Sequence, residues 1–245
     1  MQINQLLESL RVEELEDMVI VYDLEAHCQR LLNSIEALSL RGANATCQSS
    51  LHNFILFIQN QIKNKAQYQF NKPVGFSKLP SLPGVLDCFA NARNDTRIYK
   101  LRLLYSKDSS FTMEIEPYTR DLTKAWQVKI LLPKEFQIDS KDPQWKHKFY
   151  PRPAIPQFPN CDEIIWTNEN GHLCEASFTN IFFQDQAGTW HTPHLDCGIL
   201  PGTMRAKLIQ ELDAREGFYT ENDLETKIVL VNSIFIKEVS LYRQA

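Results

Sequence analysis

The segments NENGHLCEASFTNIFF (residues 168–183) and TWHTPHLDCGILPGTMRAKLIQEL (residues 189–212) decide how this chain is read. Glu169-Asn170-Gly171 is a turn, SFTNIFF and TWHTP are strands, and LPGTMRAKLIQEL is a loop that enters a helix. Two features in this stretch carry chemistry. The first is Leu200-Pro201-Gly202-Thr203-Met204-Arg205. Gly202 has no Cβ, so the backbone there can approach a ligand closely. The N–H groups of Thr203 and Met204, the Thr203 hydroxyl and the helix dipole together suit a phosphate. The same residues also read as an ordinary loop–helix junction with Thr203 as the N-cap. The second feature is Glu175, at the edge of a strand. It either faces solvent or pairs with a protonated ring nitrogen.

Working outward, WQVKILL and DEIIWTN precede this stretch as strands, and KIVLVNSIF and KEVSLYRQA follow it. Between the first two lies PKEFQIDSKDPQWKHKFYPRPAIPQFP (residues 133–159), proline-laden and mostly irregular. It contains Lys148. A catalytic lysine must lose its proton at working pH, which burial and nearby cations favour. Lys146, His147 and Arg152 are its sequence neighbours, although a lysine in a polar loop is more commonly a surface residue. Lys146 is the rival.

Toward the N-terminus, the apolar runs in 4–11 and 18–22 read as two strands joined by an acidic turn. Leu24, Cys28, Leu31, Leu32, Ile35 and Leu38 recur at helical spacing, with Asp23 as a plausible N-cap and Gly42 near the end. LHNFILFIQNQI (residues 51–62) reads as a second, more buried helix. NKPVGFSKLPSLPG holds three of the 12 prolines and two of the 8 glycines, which marks a long loop. IYKLRLLYS and FTMEIEPY are strands around Lys107–Ser110. Strands and helices alternate in the first half, and antiparallel strands dominate the second. The fold class expected is α/β (mixed α+β) in two subdomains: a small one over 1–116, a linker at 117–121, and a larger one over 122–245.

Composition narrows the function. The 245 residues are 43% hydrophobic and 23% charged, a globular balance. The net charge of −4 and the absence of a Lys/Arg stripe argue against nucleic acid. No run approaches a membrane span, and the acidic N-terminal segment does not read as an export signal, so a cytoplasmic protein with six reduced cysteines is expected. His191, His194 and Cys197 could bind zinc, but Pro193 separates the histidines and no fourth ligand is evident, so no metal is expected. Ser177 lacks a nucleophile-elbow context, and no nucleotide-binding glycine motif occurs.

Taken in order, these features resemble the class IV aminotransferases, the fold-type IV pyridoxal-5′-phosphate (PLP) enzymes. The shared pattern is Gly171, Glu175, Asn180, Thr192-Pro193-His194-Leu195, and Leu200-Pro201-Gly202 with Arg205. In the first half, LLESLRV resembles the family's ETLR strand, and His27, Arg30, Leu31 and Ser34 its H-x-x-R-L-x-x-S helix. The resemblance implies PLP as cofactor. Lys148, in the setting Asp142-Pro143…His147-Lys148, would form the Schiff base and move the substrate proton. Glu175 would pair with the pyridine nitrogen, and Arg30, Thr203, the Met204 N–H and Ser233 would hold the phosphate. Arg102 is a candidate clamp for a substrate carboxylate, or an exposed strand arginine. The resemblance further implies a homodimer acting on a small-molecule amine. The leading activity is that of aminodeoxychorismate lyase, which releases 4-aminobenzoate, a folate precursor, and pyruvate. The alternatives are an aminotransferase for branched-chain or D-amino acids, and a PLP-binding relative without catalysis.

Overall fold

The computed structural model describes residues 5–15, 18–38, 67–72, 97–106, 111–119, 121, 123–136, 138–224 and 226–242. The expected second helix at 51–62, the turn at 107–110 and most of the 71–84 loop lie outside these residues, while the acidic turn expected between 11 and 18 is shorter, because Val12–Leu15 continue the first strand and pair with Met18–Val21.

The chain divides into two compact units. The first is Met1–Arg120 together with Lys148–Arg152, and the second is Asp121–His147 with Pro153–Ala245. Lys148–Arg152 therefore belong with the first unit, although their sequence position falls within 122–245.

The first unit is built on β1 (Gln5–Leu15). Alternate residues of β1, namely Leu6, Leu10 and Val12, are buried in a cluster with Leu24, Cys28, Leu31 and Ile35 of helix α1 (Leu24–Ala37). This meeting of a period-2 row with a 3.6-residue stripe is what the sequence pattern requires. β2 (Met18–Tyr22) and β4 (Arg97–Ser106) flank β1 antiparallel, with Leu10 opposite Leu101 and Leu6 opposite Tyr105. β3 (Gln67–Lys72) joins β2 in parallel, and β5 (Phe111–Pro117) closes the other side, giving the order β3-β2-β1-β4-β5. The two-residue strand β7 (Phe149–Tyr150) pairs with β1 at Leu6 and Gln5, and a cis Tyr150–Pro151 bond follows it.

The second unit holds an eight-stranded sheet. Its strands are β6 (Trp126–Leu131), β8 (Glu163–Thr167), β9 (Leu173–Ala176), β10 (Asn180–Gln184), β11 (Trp190–Pro193), β12 (Arg215–Gly217), β13 (Lys227–Val231) and β14 (Ile236–Leu241), in the order β12-β11-β10-β13-β14-β6-β8-β9. The sheet is mixed: β11/β12, β14/β6 and β6/β8 are parallel. The long proline-rich connection permits the β6/β8 pairing, since a parallel pair needs a crossover rather than a hairpin. The single strand expected at SFTNIFF is interrupted. A tight turn with the Ala176 N–H bonded to the Thr179 carbonyl at 2.9 Å separates β9 from β10.

Within the 133–159 segment, helix α2 (Pro143–Lys146) is one turn long. Asp142 caps it by accepting the Gln144 N–H at 2.9 Å, and Pro143 starts it. The turn buries Trp145 against Trp166, with ring centroids 5.7 Å apart. Helix α3 (Thr203–Leu212) is the other α-helix among this unit's described residues, beside two short 3-10 turns at Leu195–Cys197 and Glu221–Asp223. No helix among the described residues is long and apolar enough to cross a membrane.

Candidate active site

In the first unit, the site centres on Lys148. Its carbonyl accepts the Leu7 N–H at 2.7 Å, which ties the lysine backbone to β1. Its side chain is only partly accessible, and its pKa is lowered to about 7, first by burial and then by the Arg30 guanidinium. Such an amine is a nucleophile at neutral pH, where a solvated lysine is an ammonium ion. Lys146 has a different environment. Its ammonium group lies 3.9 Å from Asp196 and is 40% exposed.

Arg30 projects from α1 and is gripped by Glu8 of β1. Its Nε lies 2.9 Å from Glu8 Oε1, and a terminal nitrogen bonds Glu8 Oε2. His27 Nδ1 lies 2.8 Å from the same Oε2. Arg30 and His27 are three apart on α1 and so share a face. Glu8 is 1% exposed, yet these partners outweigh its burial and lower its pKa to about 2. Burial lowers the His27 pKa, so neutral His27 donates to the Glu8 carboxylate. Glu8 was given no role in the sequence reading, although it is the glutamate of the LLESLRV segment that resembles the ETLR strand and stands as a carboxylate inside the apolar row Leu6, Leu10 and Val12.

Arg102 sits elsewhere on this unit. Its terminal nitrogens lie 3.6 Å from Glu114 and 3.0 Å from Glu116 of the neighbouring strand β5. A substrate carboxylate would have to displace these cross-strand partners of a partly buried arginine.

In the second unit, Glu175 and the entrance of α3 form one construction. Glu175 is 2% exposed on β9. Its Oε2 accepts the Asn180 amide at 3.1 Å and the Leu200 N–H at 3.1 Å. The same Asn180 nitrogen donates to the Leu200 carbonyl at 3.0 Å. Asn180, which sequence alone placed only in a pattern, thus fixes both the carboxylate and the LPG loop.

A Cβ on Gly202 would lie 2.0 Å from Asn180 Oδ1. The missing Cβ therefore makes room for Asn180, not for a ligand. The N-cap of α3 is Gly202 itself, without a side-chain cap hydrogen bond. Thr203 is the first helical residue, which corrects its reading as the N-cap. Its hydroxyl lies 3.2 Å from the Ser233 hydroxyl, so two of the expected phosphate ligands meet at this helix start. The Met204 side chain is 1% exposed, which leaves its backbone N–H as its contribution at the first turn.

The remaining motif residues have structural duties. Arg205 is buried and binds the Pro193 carbonyl at 2.7 Å and Glu216. The Thr192 hydroxyl donates to the Ile181 carbonyl at 2.8 Å. His191 is held by Tyr219 at 2.9 Å and Asp185 at 3.0 Å, while His194 Nδ1 accepts the Asp196 N–H at 3.2 Å. Cys197 is buried beside Cys174, whose thiol points at the Cys197 carbonyl from 3.1 Å. These partners account for the three residues considered as zinc ligands. Ser177 bonds Glu163.

The sequence profile of the family described as amino-transferase class IV matches residues 156–239, which include Glu175, Asn180, the LPG loop and Ser233. That segment therefore matches the class IV family's sequence pattern. A Schizosaccharomyces pombe protein named "Putative aminodeoxychorismate lyase" is 27% identical over 175 residues, 66% of this chain and 74% of that protein. Two crystal structures share the fold. A "Putative amino-acid aminotransferase" from Mesorhizobium loti has a TM-score of 0.66 at 22% identity, covering 97% of this chain and 99% of that one. A "Putative 4-amino-4-deoxychorismate lyase" from Legionella pneumophila has a TM-score of 0.63 at 18% identity, covering 97% and 82%. The fold is thus the class IV aminotransferase fold, as the sequence implied. The resemblance to class IV enzymes, aminodeoxychorismate lyase among them, holds. The class IV family uses PLP.

Proposed function

We propose that this chain is a PLP-dependent lyase of the aminodeoxychorismate lyase type, with Lys148 as the residue that bonds the cofactor. The observation that carries the reading is the state of Lys148: an amine of the first unit whose pKa is lowered to about 7 by burial and by Arg30. The choice of substrate rests on the yeast relative, which aligns over 74% of its own length.

The donor set fits PLP chemically. A phosphate dianion calls for a helix N-terminus, hydroxyls and a guanidinium. The start of α3 has no side-chain cap and presents the N–H groups of Thr203 and Met204 beside the Thr203 and Ser233 hydroxyls. In the first unit, Arg30 carries the guanidinium that the family pattern calls for. A pyridine nitrogen is kept protonated by a fixed carboxylate, and Glu175 is held by two N–H donors on one oxygen. When bound, PLP supplies an electron sink for negative charge at the substrate carbon.

The chain's own residues do the rest. Lys148 Nζ, its pKa lowered to about 7, would be the amine that bonds the cofactor aldehyde with loss of water, and would afterwards take the substrate proton. Glu175 would hold the proton at the ring nitrogen. Thr203, Ser233 and the α3 N–H groups would bind and orient the phosphate. In the lyase reaction the substrate amine becomes 4-aminobenzoate and pyruvate leaves. The proton lost and regained in this sequence is handled at Lys148 Nζ.

Purified protein is incubated with PLP, reduced with borohydride and digested. A pyridoxyl group on Lys148 is expected, whereas a label on Lys146 or another lysine overturns the assignment. Pyruvate release from aminodeoxychorismate, lost in Lys148→Ala, supports the lyase. Silence with that substrate, together with keto-acid formation from an amino donor and 2-oxoglutarate, would establish an aminotransferase. The near-complete mutual coverage with the Mesorhizobium loti structure favours that as the second reading. Measurable turnover of either kind excludes the non-catalytic alternative. We also propose a cytoplasmic homodimer, tested by light scattering of the active species.

A further inference from the structure

The β1 row facing α1 runs Leu6, Glu8, Leu10, Val12. Three of these positions are apolar core, and the fourth is a carboxylate that is 1% exposed. A buried charge is unfavourable unless it is paired, and a well-packed apolar residue in its place is often as stable or more so. Packing therefore does not explain Glu8. Its contacts do. Glu8 takes Arg30 through both carboxylate oxygens and His27 through one of them, so the carboxylate is saturated by two residues of α1.

This cluster adjoins the backbone that carries Lys148. The Leu7 N–H, one residue before Glu8, holds the Lys148 carbonyl at 2.7 Å. β7 continues that pairing with Phe149 opposite Leu6. Among the described residues, the strongest charged influences on Lys148 come from Arg30 of α1, Glu8 of β1, Arg152 after β7 and Lys100 of β4, and of these Glu8 is the anion.

We propose that Glu8 is a positioning residue of the Lys148 site: clamped by Arg30 and His27, its carboxylate fixes the guanidinium and sets the net charge against which the Lys148 amine works. Glu8 does this without touching a substrate. With Arg30 alone, a fixed cation would stand near the amine with nothing to offset it. With Glu8 in place, the pair is nearly neutral and the lysine retains a proton affinity useful for both accepting and returning a proton. This inference rests on the reading of Lys148 as the functional amine, but its test needs no cofactor. Failure here leaves the borohydride mapping of Lys148 untouched, and the reverse also holds.

The experiment follows acylation of Lys148 in the full chain, freed of cofactor by dialysis against hydroxylamine. Brief pulses of isotopic acetic anhydride are applied across pH 5–10, and the Lys148 peptide is quantified by mass spectrometry. Glu8→Gln keeps the shape and removes the charge. Its midpoint should fall by about one pH unit or more, since Arg30 is no longer offset. Arg30→Gln should raise the midpoint by a similar amount. Simple loosening of the unit would hydrate the amine and raise the midpoint in both variants, so opposite shifts are specific to the proposal. An unchanged midpoint in folded Glu8→Gln, or a rise in both variants, overturns it. If Glu8→Gln alone does not fold, the double variant Glu8→Gln/Arg30→Gln removes both buried charges together. Its midpoint should lie below that of Arg30→Gln, and equal midpoints overturn the proposal.

Discussion

Replacing Gly202 with alanine tests how firmly Glu175 is joined to the start of α3. The backbone of Gly202, at φ −64 and ψ 138, suits alanine, so any cost is steric. The new Cβ would lie 2.0 Å from Asn180 Oδ1, whereas ordinary contact begins near 3.4 Å, so the amide must retreat by about 1.4 Å. A movement of that size breaks its 3.1 Å bond to Glu175 and its 3.0 Å bond to the Leu200 carbonyl. One is a hydrogen bond to a charged group (roughly 1.5–3 kcal/mol) and the other is neutral (roughly 0.5–1.5 kcal/mol). A destabilisation of about 2–4 kcal/mol follows for the second unit, lowering its thermal midpoint by on the order of 5–10 °C. The assay is urea and thermal unfolding followed by tryptophan fluorescence, a natural probe because Trp126, Trp145, Trp166 and Trp190 all lie in this unit. Asn180→Ala provides the control. In that background the obstructing amide is gone, and adding Gly202→Ala should cost only the difference between glycine and alanine as an N-cap, about 1 kcal/mol or less. A loss below about 0.5 kcal/mol in the single variant, or the same loss with and without Asn180, would refute the reasoning.

Three further outcomes are expected. Thr203→Val and Ser233→Ala each remove a hydroxyl from the α3 entrance and should weaken PLP binding by roughly tenfold, the effect of one hydrogen bond to a charged group; unchanged affinity in a cofactor titration argues against a phosphate there. Lys148→Met should stabilise the first unit by on the order of 2 kcal/mol at neutral pH, because a lysine whose pKa falls from 10.5 to about 7 on folding opposes folding below 10.5. The gain should shrink as pH rises from 7 toward 10.5, and a loss of stability in hydrogen exchange would contradict it. Acid should unfold the first unit by way of Glu8 and His27. Both pKa values are lowered on folding, so their stability terms fade as pH drops: below 6.5 for His27, and from about 4.5 toward 2 for Glu8. Glu8→Gln should flatten the lower part of that profile, and an unchanged slope would count against a charged Glu8.

Much of this architecture is legible in sequence where a segment carries its own period. β1 alternates and α1 repeats its apolar residues every three to four positions, so both were placed from pattern. The break between β9 and β10 was not, because Ser177-Phe178-Thr179 suits a strand as well as a turn. The parallel pairings of the second sheet depend on where a long connection returns, which no local pattern encodes. At the site, the family motif pointed to Glu175, Thr203 and Lys148, but the reasons for its other members are tertiary. Gly202 accommodates an amide from β10, and Arg205 ties α3 to β11 and β12. Glu8 was visible as an acid in an apolar row and as the glutamate of the ETLR-like segment, but not as the clamp of Arg30. Its partners lie 19 and 22 residues away, on another element.

The loan of Lys148–Arg152 to the first unit has a consequence for synthesis on the ribosome. The N-terminal sheet obtains β7 only after translation has run through β6 and α2, so its last strand arrives from within the coding region of the second unit. A gene cut at residue 120 would thus express an N-terminal fragment whose sheet lacks a strand, and would leave Lys148 on the other polypeptide. Any split-gene or domain-exchange version of this chain should carry residues 148–152 with its N-terminal piece.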